Sequence, residues 1–124
     1  RDGKLMMPFG TPGGDGQPQS MTQTFLNMAV HGMNVQAAVE APRFQSASFP
    51  NSFYPHSYRP GVLSLEGAIG ATVGEGLSRL GHKIEWMQTY DASAGAICAI
   101  EVNPDQRSLS AAADYRRESY AIAR

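Results

Sequence analysis

The residues best placed to do chemistry in this chain carry no reactive side chain. They are the glycines of Gly10-Thr11-Pro12-Gly13-Gly14-Asp15-Gly16. An apolar strand pattern precedes them and an apolar helical pattern follows. A strand–turn–helix junction of this kind can aim backbone N–H groups at one point, and the helix dipole adds positive potential there. Glycine reaches φ > 0 and permits close approach to the backbone. The chemistry on offer is therefore anion binding. Phosphate is the poorest occupant: neither G-x-x-x-x-G-K-[ST] nor G-x-G-x-x-G is present, no lysine lies between Lys4 and Lys83, and Asp15 would repel it. Two readings stay open on the residues alone. One is a purely structural turn. The other is an oxyanion hole, where a single N–H donor lowers a barrier by about 3 kcal/mol.

Other groups have plainer roles. Arg43 can meet a substrate carboxylate or tie a loop together through backbone carbonyls, and the second is the simpler expectation. Asp114, Arg116 and Arg117 read as an ion-pair cluster near the chain end. His31 and His82 each flank a helix-stop glycine, Gly32 and Gly81, which suits capping. His56, in an aromatic-rich loop, is the one histidine worth a functional test. The three show no metal-ligand spacing, so neither a metal nor a cofactor is expected. Cys98, the only cysteine, sits in the apolar run AGAICAIEV and reads as a small buried side chain; no internal disulfide can form.

These groups need elements to hold them. Lys4–Gly10 reads as a short strand after an Asp2-Gly3 turn, with an earlier strand expected upstream. Pro8 favours a strand end or sheet edge. A helix is expected over about residues 16–31, with Asp15 as its N-cap and Pro18 in its first turn. Met21, Phe25, Met28 and Ala29 form one apolar stripe, and Leu26, Val30 and Met33 a second. A face this broad predicts cover on more than one side. Asn34 caps a short helix that ends before Pro42. Residues 45–62 form an irregular segment with three prolines and four aromatics, the kind of loop that marks function or an interface. Val62–Gly67 is a strand, Ala71–Leu80 a helix, and Lys83–Met87, Ala94–Asn103 and Ser108–Asp114 are strands. Asn103–Gln106 forms a hairpin turn between the last two. The fold class is α+β.

Bulk properties bound the rest. A chain of 124 residues is one domain or part of one. The 13 glycines and 8 prolines imply many turns between short elements. A net charge of −1 without a basic run does not point to nucleic acid or a membrane surface. No apolar stretch reaches the roughly 18 residues of a membrane span. The first residue is Arg1, not Met, which reads as a processed or cut chain, so localisation is left open.

Four motifs in order resemble the gamma-glutamyltranspeptidase family. They are Gly10-Thr11-Pro12-Gly13-Gly14, the run His31–Phe44 ending in Ala41-Pro42-Arg43-Phe44, Leu77–Ile84 around Gly81-His82, and Ala111–Arg117. Together they cover nearly the whole chain. The resemblance implies a fragment of a four-layer αββα N-terminal-nucleophile hydrolase, with residues 1–124 as a single partial domain from the C-terminal portion of the small, catalytic subunit. It implies a self-cleaving precursor, whose large subunit is the partner, and a γ-glutamyl or related amide substrate. The family's nucleophile is a threonine whose own α-amine acts as base. Carried over by motif, Gly13 and Gly14 are the oxyanion-hole residues.

The nucleophile does not carry over. Thr11, Thr22, Thr24, Thr72 and Thr89 are all internal. The family's threonine and its carboxylate-binding serines lie upstream of the glycine loop, so this chain alone is expected to be inactive. One departure bears on substrate. Many members follow the two glycines with Ser-Arg, whereas Asp15-Gly16-Gln17-Pro18-Gln19 stands here, more like amidases such as cephalosporin acylases. A non-catalytic interaction domain of the same fold is the other alternative. The loop Phe49–Tyr58 is expected either to be ordinary surface or to pack on the large subunit or rim the substrate cleft.

Overall fold

The computed structural model describes residues 7–122. The Asp2-Gly3 turn and the start of the expected first strand lie outside the described residues. What is described of that strand is β1, Phe9–Gly10. There follow α1 (Gln17–Ala29), α2 (Val35–Glu40), β2 (Phe44–Ser46), β3 (Val62–Glu66), α3 (Ala71–Arg79), β4 (Lys83–Met87), β5 (Cys98–Asn103) and β6 (Ser108–Ala113). Single 3-10 turns occupy Gly14–Gly16, Gly67–Ile69 and Ala92–Ala94.

The strands form two sheets, ordered β1-β5-β6 and β2-β3-β4. The first is antiparallel throughout. Pro8 precedes its edge strand, where a missing N–H breaks no ladder, and the Pro8 carbonyl accepts from Ile100 N at 3.0 Å. In the second sheet β3 and β4 run parallel with α3 as the crossover, and β2 is antiparallel to β3. The expected irregular segment thus begins with a strand, β2, too short to show periodicity.

Local rules explain most boundaries. Asn34 Oδ1 accepts from Ala37 N at 2.9 Å, capping α2. At its other end Ala41, before Pro42, is already extended (φ −54, ψ 141). The β5–β6 hairpin pairs Asn103 with Ser108, and Asn103 Oδ1 accepts from Gln106 N at 3.0 Å.

The apolar core lies between α2 and the first sheet. Val35, Val39, Ile97, Ala99 and Ala112 are buried there, with Phe9 and Met28 packed against them. Burying a Val or Ile side chain contributes about 1.5–3 kcal/mol. Strand alternation sends Ala99 and Ala112 to this core and Cys98 and Ile100 to the opposite face. Cys98 is therefore exposed, not buried as its apolar neighbours suggest. Among the described residues only the exposed tail Tyr120–Ile122 borders the face it occupies.

Helix α1 departs from expectation in the same way. Its buried positions are Ser20 and Thr24, while Phe25, Leu26 and Val30 are exposed. Small polar side chains let α1 approach neighbouring backbone closely, and Ser20 Oγ donates to Ala94 O at 2.9 Å. The apolar stripes are left uncovered, apart from the half-buried Met21 and Met28. Among the described residues no helix is long and apolar enough to cross a membrane.

Candidate functional site

The glycine turn leaves β1 and enters α1 through a single 3-10 turn. Gly13 has φ +137 and Gly14 φ +54, both in the region that favours glycine. Gly13 O accepts from Gly16 N at 3.1 Å, which closes the turn. Among the described residues nothing accepts from the N–H of Gly13 or of Gly14. Gly13 is half-buried and Gly14 exposed. Two adjacent donors are thus held without partners in a turn at a helix N-terminus. Pro18 sits in the first turn of α1, where its missing N–H costs nothing.

The turn is backed by the segment Ala94–Ala96. Thr11 Oγ1 accepts from Ala96 N at 2.7 Å and donates to Pro12 O at 2.7 Å. A Cβ on Gly95 would lie 2.5 Å from Thr11 Oγ1, so the two backbones meet there only because residue 95 is glycine. Asp91 holds this segment from outside: its carboxylate accepts from Ser93 N and Ser93 Oγ, at 2.9 and 2.6 Å. The Ser93 hydroxyl, then the Ser93 and Gln88 N–H groups, hold the Asp91 carboxyl below its ordinary value.

Behind that segment lies a buried ion network. Arg43 and Asp114 pair at 2.7 Å. Arg116 pairs with Asp114 at 3.0 Å and with Glu66 through two of its nitrogens. All four residues are at least 96% buried. Backbone groups add to the set, and Arg43 Nε is left without a partner. Arg43 donates to Val39 O and Ala94 O, Arg116 to Val39 O and Ala41 O, and Glu66 accepts from Arg43 N and Asp91 N. Removal from water pushes the Arg43 guanidinium down, with repulsion from Arg116 adding to it. Burial acts the same way on Arg116, but the Glu66 hydrogen bond and the Asp114 and Glu66 charges outweigh it and raise that group. Both arginines stay charged at neutral pH.

This settles several expectations. Arg43 ties loops through carbonyls and is too buried to meet a substrate. Asp114 and Arg116 do cluster, but Arg117 does not join them; it is exposed and donates to Ala92 O. Glu66, which no motif singles out, is the cluster's second acid and pairs with Arg116. The signal for it is thin: an acid closing the buried strand Val62-Leu63-Ser64-Leu65.

Asp15 is not the cap of α1. The N-cap position is Gly16, with no side-chain bond. The Asp15 carboxylate turns outward instead and accepts from Ser52 N and Ser52 Oγ, at 2.5 and 2.7 Å. These two bonds hold its carboxyl below the ordinary value. The aromatic loop is thereby fastened to the glycine turn. A cavity of about 220 Å³ lies between them, lined by Asp15, Gln19, Gln45, Asn51, Ser57 and Arg59. His56 serves the loop itself: it has φ +59, and its Nδ1 lies 2.8 Å from Asn51 O. His31 and His82 are exposed and distant in sequence from this site. Among the described residues no group of His, Cys, Asp or Glu is placed to hold a metal.

Comparison with known proteins agrees with the motifs. The family model described as Gamma-glutamyltranspeptidase matches residues 1–124. The chain is 33% identical over 123 residues to the Acylase ACY 1 proenzyme of Pseudomonas sp. (strain V22), covering 99% of this chain and 19% of that protein. It is 30% identical over 122 residues to the Glutathione hydrolase-like YwrD proenzyme of Bacillus subtilis (strain 168), covering 98% and 22%. The solved structure of LmbA2991HD superposes with a TM-score of 0.89 at 38% identity, over 95% of this chain and 21% of that one. The chain therefore spans about a fifth of the length of the curated relatives it matches. Its α+β architecture is part of the αββα sandwich of the N-terminal-nucleophile hydrolases, and the chain belongs to the gamma-glutamyltranspeptidase family.

Proposed function

We propose that the complete protein cleaves γ-glutamyl or related amides through an acyl-threonine intermediate, and that Gly13 and Gly14 supply its oxyanion donors. The observation that carries this is the pair of unpartnered N–H groups in the backed glycine turn. In such a site a threonine hydroxyl attacks the amide carbonyl and its α-amine takes the proton. The carbonyl oxygen gains negative charge, which preorganised N–H donors stabilise without reorganising. The C–N bond then breaks, and the amine leaves with the proton. Water or an acceptor amine takes the acyl group. None of these steps needs a cofactor.

The rest of the reading rests on the motif resemblance and is compatible with how little of the relatives' length is spanned. Residues 1–124 are part of one domain, the C-terminal portion of a small subunit. The nucleophile and the residues for the substrate's carboxylate belong to the preceding part. The large subunit of the same precursor is the partner, an inference supported by relatives named as proenzymes. The uncovered side chains of Ile100 and Leu109, and those of Phe25, Leu26 and Val30, offer apolar surface for the remainder of the protein.

A second reading has its own support. The acidic continuation Asp15-Gly16 and the 33% identity to an acylase favour an amidase acting on glutaryl or other side-chain amides. One experiment separates the readings. The complete protein is purified, its mature chains are sequenced from their N-termini, and a γ-glutamyl anilide is assayed beside a glutaryl amide. A new N-terminal threonine with γ-glutamyl turnover supports the first reading, and preference for the glutaryl amide supports the second. An uncleaved chain inert to both refutes an enzymatic role and leaves a non-catalytic interaction domain.

A further inference from the structure

We propose that Asp15 latches the aromatic loop over the glycine turn so that the Phe53 ring forms the leaving-group side of the amide site. The idea rests on the oxyanion reading of Gly13 and Gly14, which locates the reacting carbonyl.

The latch is a contact between residues 37 apart in the chain. Both carboxylate oxygens of Asp15 are used, one on Ser52 N and the other on Ser52 Oγ. The next residue is Phe53. Its position is fixed on the other side by Asn51, whose Oδ1 accepts from Phe53 N at 2.8 Å. Asn51 is itself pinned, since its N–H donates to Ser57 O at 3.0 Å. The Phe53 carbonyl accepts from His56 N at 2.6 Å. The backbone around the ring is therefore tied on both sides, yet Phe53 is 64% exposed.

The ring lies against the glycine turn. A Cβ built on Gly14 would stand 2.9 Å from Phe53 Cε2. A carbonyl oxygen accepting from the Gly14 N–H would place one of its two substituents beside this aromatic edge. Chemistry selects which one. A γ-glutamyl or glutaryl acyl group carries charge and needs polar partners, and a phenyl ring offers none. The amine that leaves can be flat and apolar, and an aromatic ring favours such a neighbour through stacking or edge contact. The nearby Phe49 and Tyr54 are also exposed and extend the same character. The geometry thus assigns Phe53 to specificity for amides of aromatic or apolar amines. Asp15 acts as a positioning residue through Ser52.

The test uses the complete, processed protein and two γ-glutamyl amides that differ only in the amine: p-nitroaniline and methylamine. The readout is the ratio of kcat/KM for the anilide to that for the methylamide. Phe53→Ala should lower this ratio about 3- to 10-fold, mainly through KM for the anilide. Asp15→Asn should shift it the same way, and Asp15→Glu should restore part of it. A defect of folding or subunit assembly depresses both substrates together and leaves the ratio unchanged. A ratio within twofold of wild type in both Phe53→Ala and Asp15→Asn overturns the proposal, including the case in which Tm falls and the ring serves packing alone. The oxyanion reading is scored separately. Wild-type kcat in Gly13→Ala and Gly14→Ala overturns that reading, whatever the ratio does in the loop variants.

Discussion

The Asp114 carboxylate lies 2.7 Å from the Arg43 guanidinium, and the two side chains are 0% and 1% exposed. These residues are 71 positions apart, just before β2 and just after β6. Their pair, with Glu66 and Arg116, joins the end of α2, the second sheet and the segment behind the glycine turn. Deleting one member leaves another charge buried without its partner, which costs about 3–5 kcal/mol. Arg43→Leu or Asp114→Ala in the complete protein should therefore lose stability on that scale by urea unfolding. Arg43→Lys should recover little. A lysine ammonium cannot reproduce a guanidinium fork that reaches Asp114, Val39 O and Ala94 O together. Unfolding midpoints equal to wild type would remove the network from the account of stability.

The glycine turn makes a second prediction, with an internal control. Alanine keeps the N–H but resists the backbone at Gly13, with φ +137, and at Gly14, with φ +54. At Gly14 the added Cβ also meets Phe53. Misaligning an oxyanion donor costs on the order of 10²-fold in kcat. Gly13→Ala and Gly14→Ala in the processed enzyme should lose about that much, with KM changed less. Gly76→Ala, within α3, has open space around its Cβ and no positive φ, and should keep near wild-type kcat. Steady-state kinetics on the three variants decide the matter.

Local chemistry was legible in the sequence where it is strong. The Asn34 cap, the stop before Pro42, the strand Lys83–Met87 and the β5–β6 hairpin follow from single residues or short patterns. The partner of a long-range polar group is not written locally. Asp15 looks like a helix cap by position, but Ser52, 37 residues on, offers its carboxylate two donors at once. Glu66 carries no motif, and only the meeting of β3 with the chain end makes it Arg116's counter-ion. Cys98 and the stripes of α1 misled for another reason. Apolar periodicity says that a face is to be buried, not which part of the protein buries it. By its residues alone the glycine loop fits a turn as well as an oxyanion site, and only its order among three other motifs supports the proposed second role.

Asp15 gives a pH prediction. The Ser52 hydrogen bonds hold its carboxyl below the ordinary value, so the closed loop favours the ionised form. For a depressed carboxyl the stabilisation is fully present above the ordinary value of about 3.9 and is lost as pH falls through the depressed one. The latch should stay shut at neutral and mildly acidic pH and open only in strong acid. Chymotryptic cutting is unsuited to that range, so fluorine NMR of a labelled Phe53 is the measurement of choice. The resonance should stay constant as pH falls to the ordinary carboxylate value and shift only below it, in step with Asp15 titration. In Asp15→Asn the resonance should sit at the open position at every pH. A shift centred near neutrality would assign the loop to another group and refute the latch.

The uncovered sheet face gives the last prediction. Cys98, Ile100 and Ala111 share one side of the β1-β5-β6 sheet, opposite Ala99 and Ala112, which face α2. Leu109, 67% exposed, lies on the same side as Ile100 through the β5–β6 register. An apolar sheet face of this kind associates or is covered. If the remainder of the protein forms the next layer of the αββα sandwich there, a thiol reagent should modify Cys98 rapidly in the isolated 124-residue chain. It should be at least about 100-fold slower in the complete protein under native conditions, because reaction would then require local opening. The isolated chain should also bind ANS or self-associate, and Leu109→Lys should reduce both. Equal Cys98 reactivity in the two forms would show that this face is open in the complete protein and would leave its apolar character without that explanation.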